Sequence, residues 1–317
     1  SSLNTLIKLL SAALDAQQGR KVILSTRENF PTDLYMAEGL SLLLGQNRCE
    51  LRVVGADEVL EHLDDDTAVL MLTHVDFRSG RIFDMEAMTA AAREAGALSM
   101  WDLAHSAGAV PLRLDDHGVD LAVGCGYKYL NGGPGAPAFL YVARRHQPHL
   151  TQPLAGWMGH ASPFSFDTGY QPAPGIERFL CGTPSVLAMT ALDTAMDIWE
   201  GLDMQVVRTK SMGLCDLFIR LVEQAPALAD LRLASPRDSA VRGSQVSFAH
   251  PEGYAIMQAL IESGVIGDFR EPDLLRFGFT PLYTRFVDVW AAVATLEKIV
   301  QEKVFEAPRF RQRLKVT

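Results

Sequence analysis

Short apolar segments alternate with helical segments over the first half of the chain, and this alternation constrains the fold more than any other feature. The pattern predicts buried strands at residues 21–25, 50–54, 67–72, 97–101, 120–123 and 138–142. It predicts helices between them at residues 32–44, 57–63, 84–95 and 106–109. Repeated strand–helix–strand units are typical of an α/β fold with a mostly parallel sheet covered on both faces. Ligands bind beyond the carboxyl ends of the strands in such sheets.

The alternation stops at a stretch rich in proline and glycine, residues 152–184, whose length is typical of a functional loop. Beyond it the pattern predicts helices at residues 185–200, 203–224, 254–263 and 285–304, with Asp203 as an N-cap. It predicts strands at residues 231–234, 245–249, 265–270 and 275–279. We therefore expect a large α/β domain, residues 1–184, and a smaller α+β domain, residues 185–317.

Composition excludes several classes of protein. The net charge of -9 is spread without basic stripes, which argues against binding to nucleic acid or an anionic membrane. No apolar run is long enough to span a bilayer and no signal peptide is evident, so we expect a cytoplasmic protein. The four cysteines are widely spaced, which argues against a disulfide framework or a zinc site.

One lysine, Lys128, lies between two aromatic residues in the glycine-rich stretch 124–135. The apolar residues before it predict a buried strand that ends close to this lysine. Burial lowers the pKa of a lysine and makes its amine a nucleophile suited to Schiff-base chemistry. Alternatively, the ammonium group extends from the turn to solvent. The glycines would let the backbone pass close beneath a flat ligand.

Asp102 follows the predicted strand 97–101 and should lie at the same edge of the sheet as Lys128. A carboxylate at a buried strand end needs a cationic partner or hydrogen-bond donors. Pyridoxal phosphate (PLP) enzymes provide such a partner, because they pair an aspartate with the pyridinium nitrogen. Alternatively, Asp102 only caps the short helix predicted after it.

Four further side chains are predicted at this edge: Phe30, Asp33, Thr73 and Tyr127. Each has a structural alternative. Phe30 could belong to the core, Asp33 could cap a helix, and Thr73 could bond only to backbone. Tyr127 could be a buried tyrosine with one local hydrogen bond.

Residues 102–108, Asp-Leu-Ala-His-Ser-Ala-Gly, resemble the aspartate segment of the class V aminotransferase family, which are fold-type I PLP enzymes. Further motifs narrow the resemblance to kynureninases, and these motifs occupy residues 30–35, 124–135, 156–160, 178–184 and 275–283. The resemblance runs from the first helix to the last. Its most specific part is Tyr-Lys-Tyr-Leu-Asn-Gly-Gly-Pro-Gly at residues 127–135.

The resemblance implies a homodimeric enzyme that hydrolyses L-kynurenine, or its 3-hydroxy form, to an anthranilate and L-alanine. Lys128 would bind PLP as a Schiff base and move the Cα proton, and Asp102 would pair with the pyridinium nitrogen. Tyr127 would act as the general acid. Arg276 would clamp the substrate carboxylate through its bidentate guanidinium.

The resemblance also implies cofactor contacts from Phe30, Pro31, Thr32, Asp33, Thr73, His105, Tyr127, Trp157 and Thr183. Of these, Phe30 would stack on the ring, while Trp157 and Thr183 would reach the site of the other subunit. No metal is expected, because the proline between His146 and His149 breaks the helix that would aim both rings.

Two points stay open in the sequence. His160 could serve the substrate or could be a solvent-facing loop histidine. Kynureninases carry a sizeable segment before the point at which this chain begins. We therefore expect either a piece of a longer protein or a truncated product, with Ser1 and Ser2 as the remainder of a phosphate-binding turn.

Two alternative functions remain. The first is another class V reaction, either transamination or a desulfuration that would need a mobile cysteine, for which only Cys181 is suitably placed. The second is a non-catalytic protein built on a truncated PLP fold.

Overall fold

The structure is a computed structural model that describes residues 2–17 and 19–313, with side chains from Thr5 onward. Ser1 and the side chain of Ser2, the predicted remainder of a phosphate-binding turn, lie outside this description. Backbone contacts divide the chain into two compact units. The first contains the residues up to His74, Phe83–Ala107 and Leu112–Glu200, and the second contains Val75–Ile82, Gly108–Pro111 and the residues from Gly201 onward. The domain boundary predicted at residue 184 stays a prediction.

A six-stranded sheet forms the centre of the first unit. Its strands are β1 (Val22–Thr26), β2 (Glu50–Val54), β3 (Thr67–Thr73), β4 (Leu98–Asp102), β5 (Leu121–Cys125) and β6 (Ala138–Val142). Their order is β2-β1-β3-β4-β5-β6, and β6 alone runs antiparallel to its neighbour. The predicted mostly parallel sheet is therefore confirmed.

Helices cover both faces of this sheet. On one face lie α1 (Ser2–Ala16) and α2 (Pro31–Leu44), and on the other lies α3 (Met85–Glu94). The largely exposed helix α4 (Val186–Met196) follows later in the chain. Alternate strand residues enter different cores: Ile23, Val69 and Met71 pack in one cluster, whereas Leu24 and Leu70 pack in the other. This period of two follows from the pleat of a strand with both faces buried. The predicted helix at residues 57–63 is a 3₁₀ helix, Ala56–His62.

The helix predicted at residues 106–109 is wrong, because turns occupy this segment. Ala104 N–H donates to Asp102 Oδ1 at 2.8 Å, and the carbonyl of Leu103 accepts from the backbone of both Ser106 and Ala107. Gly108 then adopts a φ of 84°, which ends any helical course. Asp102 thus caps a turn, which we call the aspartate turn, residues 102–107.

At the opposite end of β4 and β5, Asp120 is buried in a hydrogen-bonded cluster. Its carboxylate accepts from the backbone and hydroxyl of Ser99, both at 2.8 Å, and also contacts Arg145 and His146. Burial opposes ionisation, but the bonds from His146, Ser99 and Arg145 prevail and lower the pKa of Asp120. His146, considered above as a possible metal ligand, therefore bonds to Asp120.

The second unit is built on an antiparallel sheet of order β7-β8-β10-β9. Its strands are β7 (Arg232–Leu233), β8 (Gln245–Ala249), β9 (Asp268–Arg270) and β10 (Leu274–Gly278). Its helices are α5 (Met204–Gln224), α6 (Gly253–Glu262), α7 (Phe286–Gln301) and α8 (Pro308–Arg311). Asp203 accepts from Gln205 N–H at 2.8 Å, so this predicted N-cap is confirmed. No helix among the described residues has the length and apolarity needed to cross a membrane.

Candidate active site

The carboxyl ends of β3, β4 and β5 bring several of the predicted site residues to one edge of the sheet. Thr73 pairs with Asp102 in the parallel register, and Asp102 pairs with Val123. The loops that follow these strands line a small cavity together with the start of α2. Six of the predicted residues line it: Phe30, Thr32, Asp33, Asp102, Tyr127 and Lys128.

Lys128 is partly buried, and its amine lies among aromatic rings. Its Nζ is 3.2 Å from His105 Nε2, 5.9 Å from the centroid of the Phe30 ring and 5.6 Å from that of Tyr127. Tyr127 itself is half exposed rather than a buried tyrosine. An amine on the cavity wall with aromatic faces beside it is accessible to a flat carbonyl compound.

Two carboxyl groups, those of Asp33 and Asp102, are hydrogen-bonded to each other in this cavity. Burial, together with the charge of Asp102 and the hydrogen bond to it, raises the pKa of Asp33 to about 8 against the opposing effect of Lys128. Burial also raises the pKa of Asp102. At neutral pH the pair therefore shares one proton, which we assign to Asp33.

The chemistry of this cavity fits a pyridine ring that carries an aldehyde. Asp33 lines the cavity, and its Oδ2 is buried without a hydrogen-bond partner among the described residues. Phe30 contributes a flat face, and a carboxyl pair that holds one proton suits a basic ring nitrogen. Lys128 provides the amine that condenses with the aldehyde.

Because Gly124 has no side chain, the ring of Phe139 can pack closely against the backbone of β5. A Cβ at this position would lie 2.2 Å from the ring of Phe139, its partner across β5 and β6. The residue is therefore required for the sheet to pack, whatever ligand the cavity holds.

The other predicted cofactor contacts are distributed more widely. Pro31 begins α2, and Thr73 is buried at the end of β3. Trp157 lines a separate cavity in the loop 155–170, and Thr183 is exposed on the segment before α4. The roles of these residues stay predictions.

His160 lines the same separate cavity and is buried, so the solvent-facing alternative is wrong. Its Nδ1 accepts from Ser162 N–H at 2.9 Å, which places the ring proton on Nε2, 3.2 Å from the carbonyl oxygen of Gly169. Both ring nitrogens therefore order the loop.

Arg276 lies on β10 of the second unit. Its Nε donates to Asp268 Oδ1 at 2.9 Å, its Nη2 to Asp268 Oδ2, and its Nη1 to the carbonyl of Phe77. Sequence reasoning missed this partner, because Asp268 lies opposite Arg276 only through the antiparallel register of β9 and β10.

Cys125 was also missed as a cavity residue. The predicted strand ended at residue 123, whereas β5 continues to Cys125 and places it on the cavity wall. Burial raises the pKa of the Cys125 thiol, so this side chain stays protonated near neutral pH.

Comparisons with known proteins agree with this arrangement. The family described as Kynureninase C-terminal domain matches residues 207–296. The chain is 53% identical to the kynureninase of Burkholderia mallei, over 98% of this chain and 76% of that protein.

Solved structures show the fold. A cysteine desulfurase from Thermococcus onnurineus superposes with a TM-score of 0.77 at 17% identity, over 95% of this chain and 78% of that one. A C-DES variant with glycine linked to its PLP cofactor gives 0.77 at 18% identity, over 93% and 78% of the two chains. The predicted fold-type I architecture is confirmed.

The raised pKa of Asp33 predicts a pH-dependent stability. A carboxyl group that is protonated in the fold stabilises it fully below its unfolded pKa of 3.8, and loses that contribution as pH rises through about 8. Urea unfolding of the cofactor-free protein should therefore give a free energy of unfolding that falls across this window. In Asp33→Asn, which has no proton to lose at this position, the fall should be smaller, and the buried Asp102 carboxyl group accounts for the remainder. The matched change Asp65→Asn, at an exposed site, should retain the full fall, and equal slopes in Asp33→Asn and the parent would contradict the assignment.

Proposed function

Because the chain belongs to the kynureninase family, we propose that it hydrolyses kynurenine, with PLP as cofactor, to an anthranilate and L-alanine. The observation that carries this proposal is the arrangement of Lys128 with the Asp33–Asp102 pair in one cavity. Water enters the products, because the Cβ–Cγ bond breaks and the ketone carbon leaves as a carboxylate. The choice between kynurenine and 3-hydroxykynurenine belongs to the same proposal.

Lys128 would hold the cofactor through its amine and would then move the proton at the substrate Cα. When bound, PLP would supply an electron-accepting ring that stabilises negative charge on the carbon beside the amino group. Asp102 and Asp33 would retain a proton at the ring nitrogen, as their hydrogen-bonded pair and the raised pKa of Asp33 support. Phe30 would provide the stacking face, and Pro31 and Thr32 would contact the cofactor from the start of α2.

Tyr127 gives a proton during C–C cleavage, for which its half-exposed position on the cavity wall is suited. Arg276 binds the substrate carboxylate. The bidentate contact with Asp268 fixes the guanidinium and leaves further N–H donors for a second carboxylate. Thr73, at the end of β3, and His105, in the aspartate turn after β4, would contact the cofactor.

We also propose a cytoplasmic homodimer in which Trp157 and Thr183 reach the active site of the partner. Trp157, Phe164 and Phe166 form an exposed aromatic cluster with ring centroids 5.6 and 6.4 Å apart. Exposed apolar clusters of this kind are typical of interaction surfaces.

The alternative class V reaction is desulfuration. It needs a cysteine near the substrate, and Cys125 lines the cavity while Cys181 contacts the carbonyl of Leu154. The likeness to desulfurases is below 20% identity and concerns the fold alone, whereas the kynureninase relative matches at 53%. Sequence similarity therefore favours kynurenine hydrolysis.

An assay of product release tests the proposed function. The protein incubated with PLP should develop a visible absorption band and should then release fluorescent anthranilate from L-kynurenine. Lys128→Ala should do neither. Sulfide release from cysteine without anthranilate release would favour desulfuration, and the absence of any band would favour a non-catalytic protein.

Tyr127→Phe should remain loaded with PLP but hydrolyse kynurenine more slowly by a factor of ~10² to 10⁴, the usual contribution of a general acid. The reason is that the variant keeps the ring beside Lys128 and loses only the hydroxyl proton. Single-turnover kinetics and the absorption band should be compared with those of the parent. Full activity in the variant would remove Tyr127 from this step.

The dimer should be visible in sedimentation equilibrium as twice the chain mass of 34.7 kDa. Replacement of the exposed aromatic residues Phe164 and Phe166 by serine should weaken it, while Tyr283→Ser provides a control at another exposed aromatic position. A monomer at all protein concentrations would contradict the shared-site arrangement.

A further inference from the structure

We propose that His74 is a positioning residue for the lysine site, because it holds the aspartate turn that presents Asp102 to the cavity and His105 to Lys128. This inference rests on the proposed function in one respect, namely that Lys128 binds PLP. His74 lies in no predicted motif and does not itself line the cavity.

The backbone of His74 is hydrogen-bonded to the start of the aspartate turn. His74 follows the last residue of β3, and its N–H donates to the carbonyl of Asp102 at 2.9 Å. Its own carbonyl accepts from Phe83 N–H at 2.9 Å. These two bonds fix where the His74 side chain leaves the sheet.

The imidazole of His74 is hydrogen-bonded to Ser106, near the other end of the same turn. Its Nδ1 lies 2.9 Å from Ser106 Oγ, and both side chains are buried. The ring also packs edge-on against Trp101, with centroids 5.8 Å apart and planes at 84°. The imidazole is thus held on two sides and has a defined orientation.

His74 therefore bridges the two ends of the segment on which Asp102 and His105 lie. His105 stands between these anchors and places Nε2 3.2 Å from Lys128 Nζ. Within the turn, backbone bonds set its shape, whereas the bond from Ser106 to His74 ties it to β3. A shift of the turn would move both groups that face the lysine.

The choice of residue supports this role. Burial of an imidazole is unfavourable unless its nitrogens are hydrogen-bonded, and an aliphatic residue would fill the core beside Trp101 without that penalty. The hydroxyl of Ser106 is fully buried and also needs a partner. The imidazole and the hydroxyl provide each other with a hydrogen-bond partner. A buried polar pair that is hydrogen-bonded in this way favours one local geometry.

The test uses His74→Leu, His74→Asn and Ser106→Ala in the PLP-loaded protein. His74→Leu and Ser106→Ala should each weaken PLP binding roughly tenfold, since each leaves a buried polar partner unsatisfied or removes the bond. Both should shift the pH midpoint of the cofactor absorption band. The double variant should show no further change, and His74→Asn, which keeps a polar group near Nδ1, should restore most of the affinity.

Ser99→Ala is the matched control, because it removes a buried serine hydroxyl at the other end of β4. It should lower thermal stability without changing PLP affinity or the pH midpoint. Parent-like affinity and midpoint in both His74→Leu and Ser106→Ala would overturn the inference, as would equal effects in Ser99→Ala. If His74→Leu fails to fold, Ser106→Ala decides.

A measurement without cofactor separates this inference from the proposed function. The rate at which an activated ester acylates Lys128, followed by mass spectrometry, should change in His74→Leu and Ser106→Ala but not in Ser99→Ala. A parent protein that gives no PLP band would contradict the proposed function, while these rates would still decide the role of His74.

Discussion

The parallel register of β3, β4 and β5 is the constraint on which the candidate site depends. It sets Thr73 beside Asp102 and ends β5 where the chain turns towards Lys128. Because all three strands run in the same direction, their following residues emerge at one edge. The functional groups are thus brought together by the sheet and not by local sequence. If these groups lay on loops without the sheet, each loop would have to be ordered separately, and each would lose conformational entropy on folding.

The core explains why this edge is well defined. Alternate residues of the central strands are buried in different clusters, so a shift of one residue in register would place each of them on the wrong face. At the other end of β4 and β5, Asp120 binds Ser99, Arg145 and His146. Hydrophobic packing and this polar cluster therefore fix the strands whose opposite ends carry the chemistry.

Much of this could be predicted from the sequence, because strand ends are marked by the change from apolar to polar residues. Asp102, Lys128 and Asp33 could be assigned to one edge on that basis. The aspartate turn could not, because helix-forming residues there are overruled by the positive φ of Gly108. Side-chain contacts between strands could not be predicted from the sequence either. The pairing of Arg276 with Asp268 depends on an antiparallel register that no local pattern specifies.

The shared proton of the carboxyl pair links this geometry to chemistry. Two adjacent carboxylates repel each other in a buried site, and the repulsion is relieved when one of them keeps its proton. Asp33 keeps it because burial and the neighbouring charge of Asp102 raise its pKa to about 8. The pair then carries less negative charge beside Lys128 than two ionised carboxylates would. The pair can also share its proton with a basic ring nitrogen. An isolated ionised aspartate at the end of β4 would hold no proton to share. Asp33 is therefore as much a part of the site as Asp102, although only Asp102 lies on the strand beside the lysine loop.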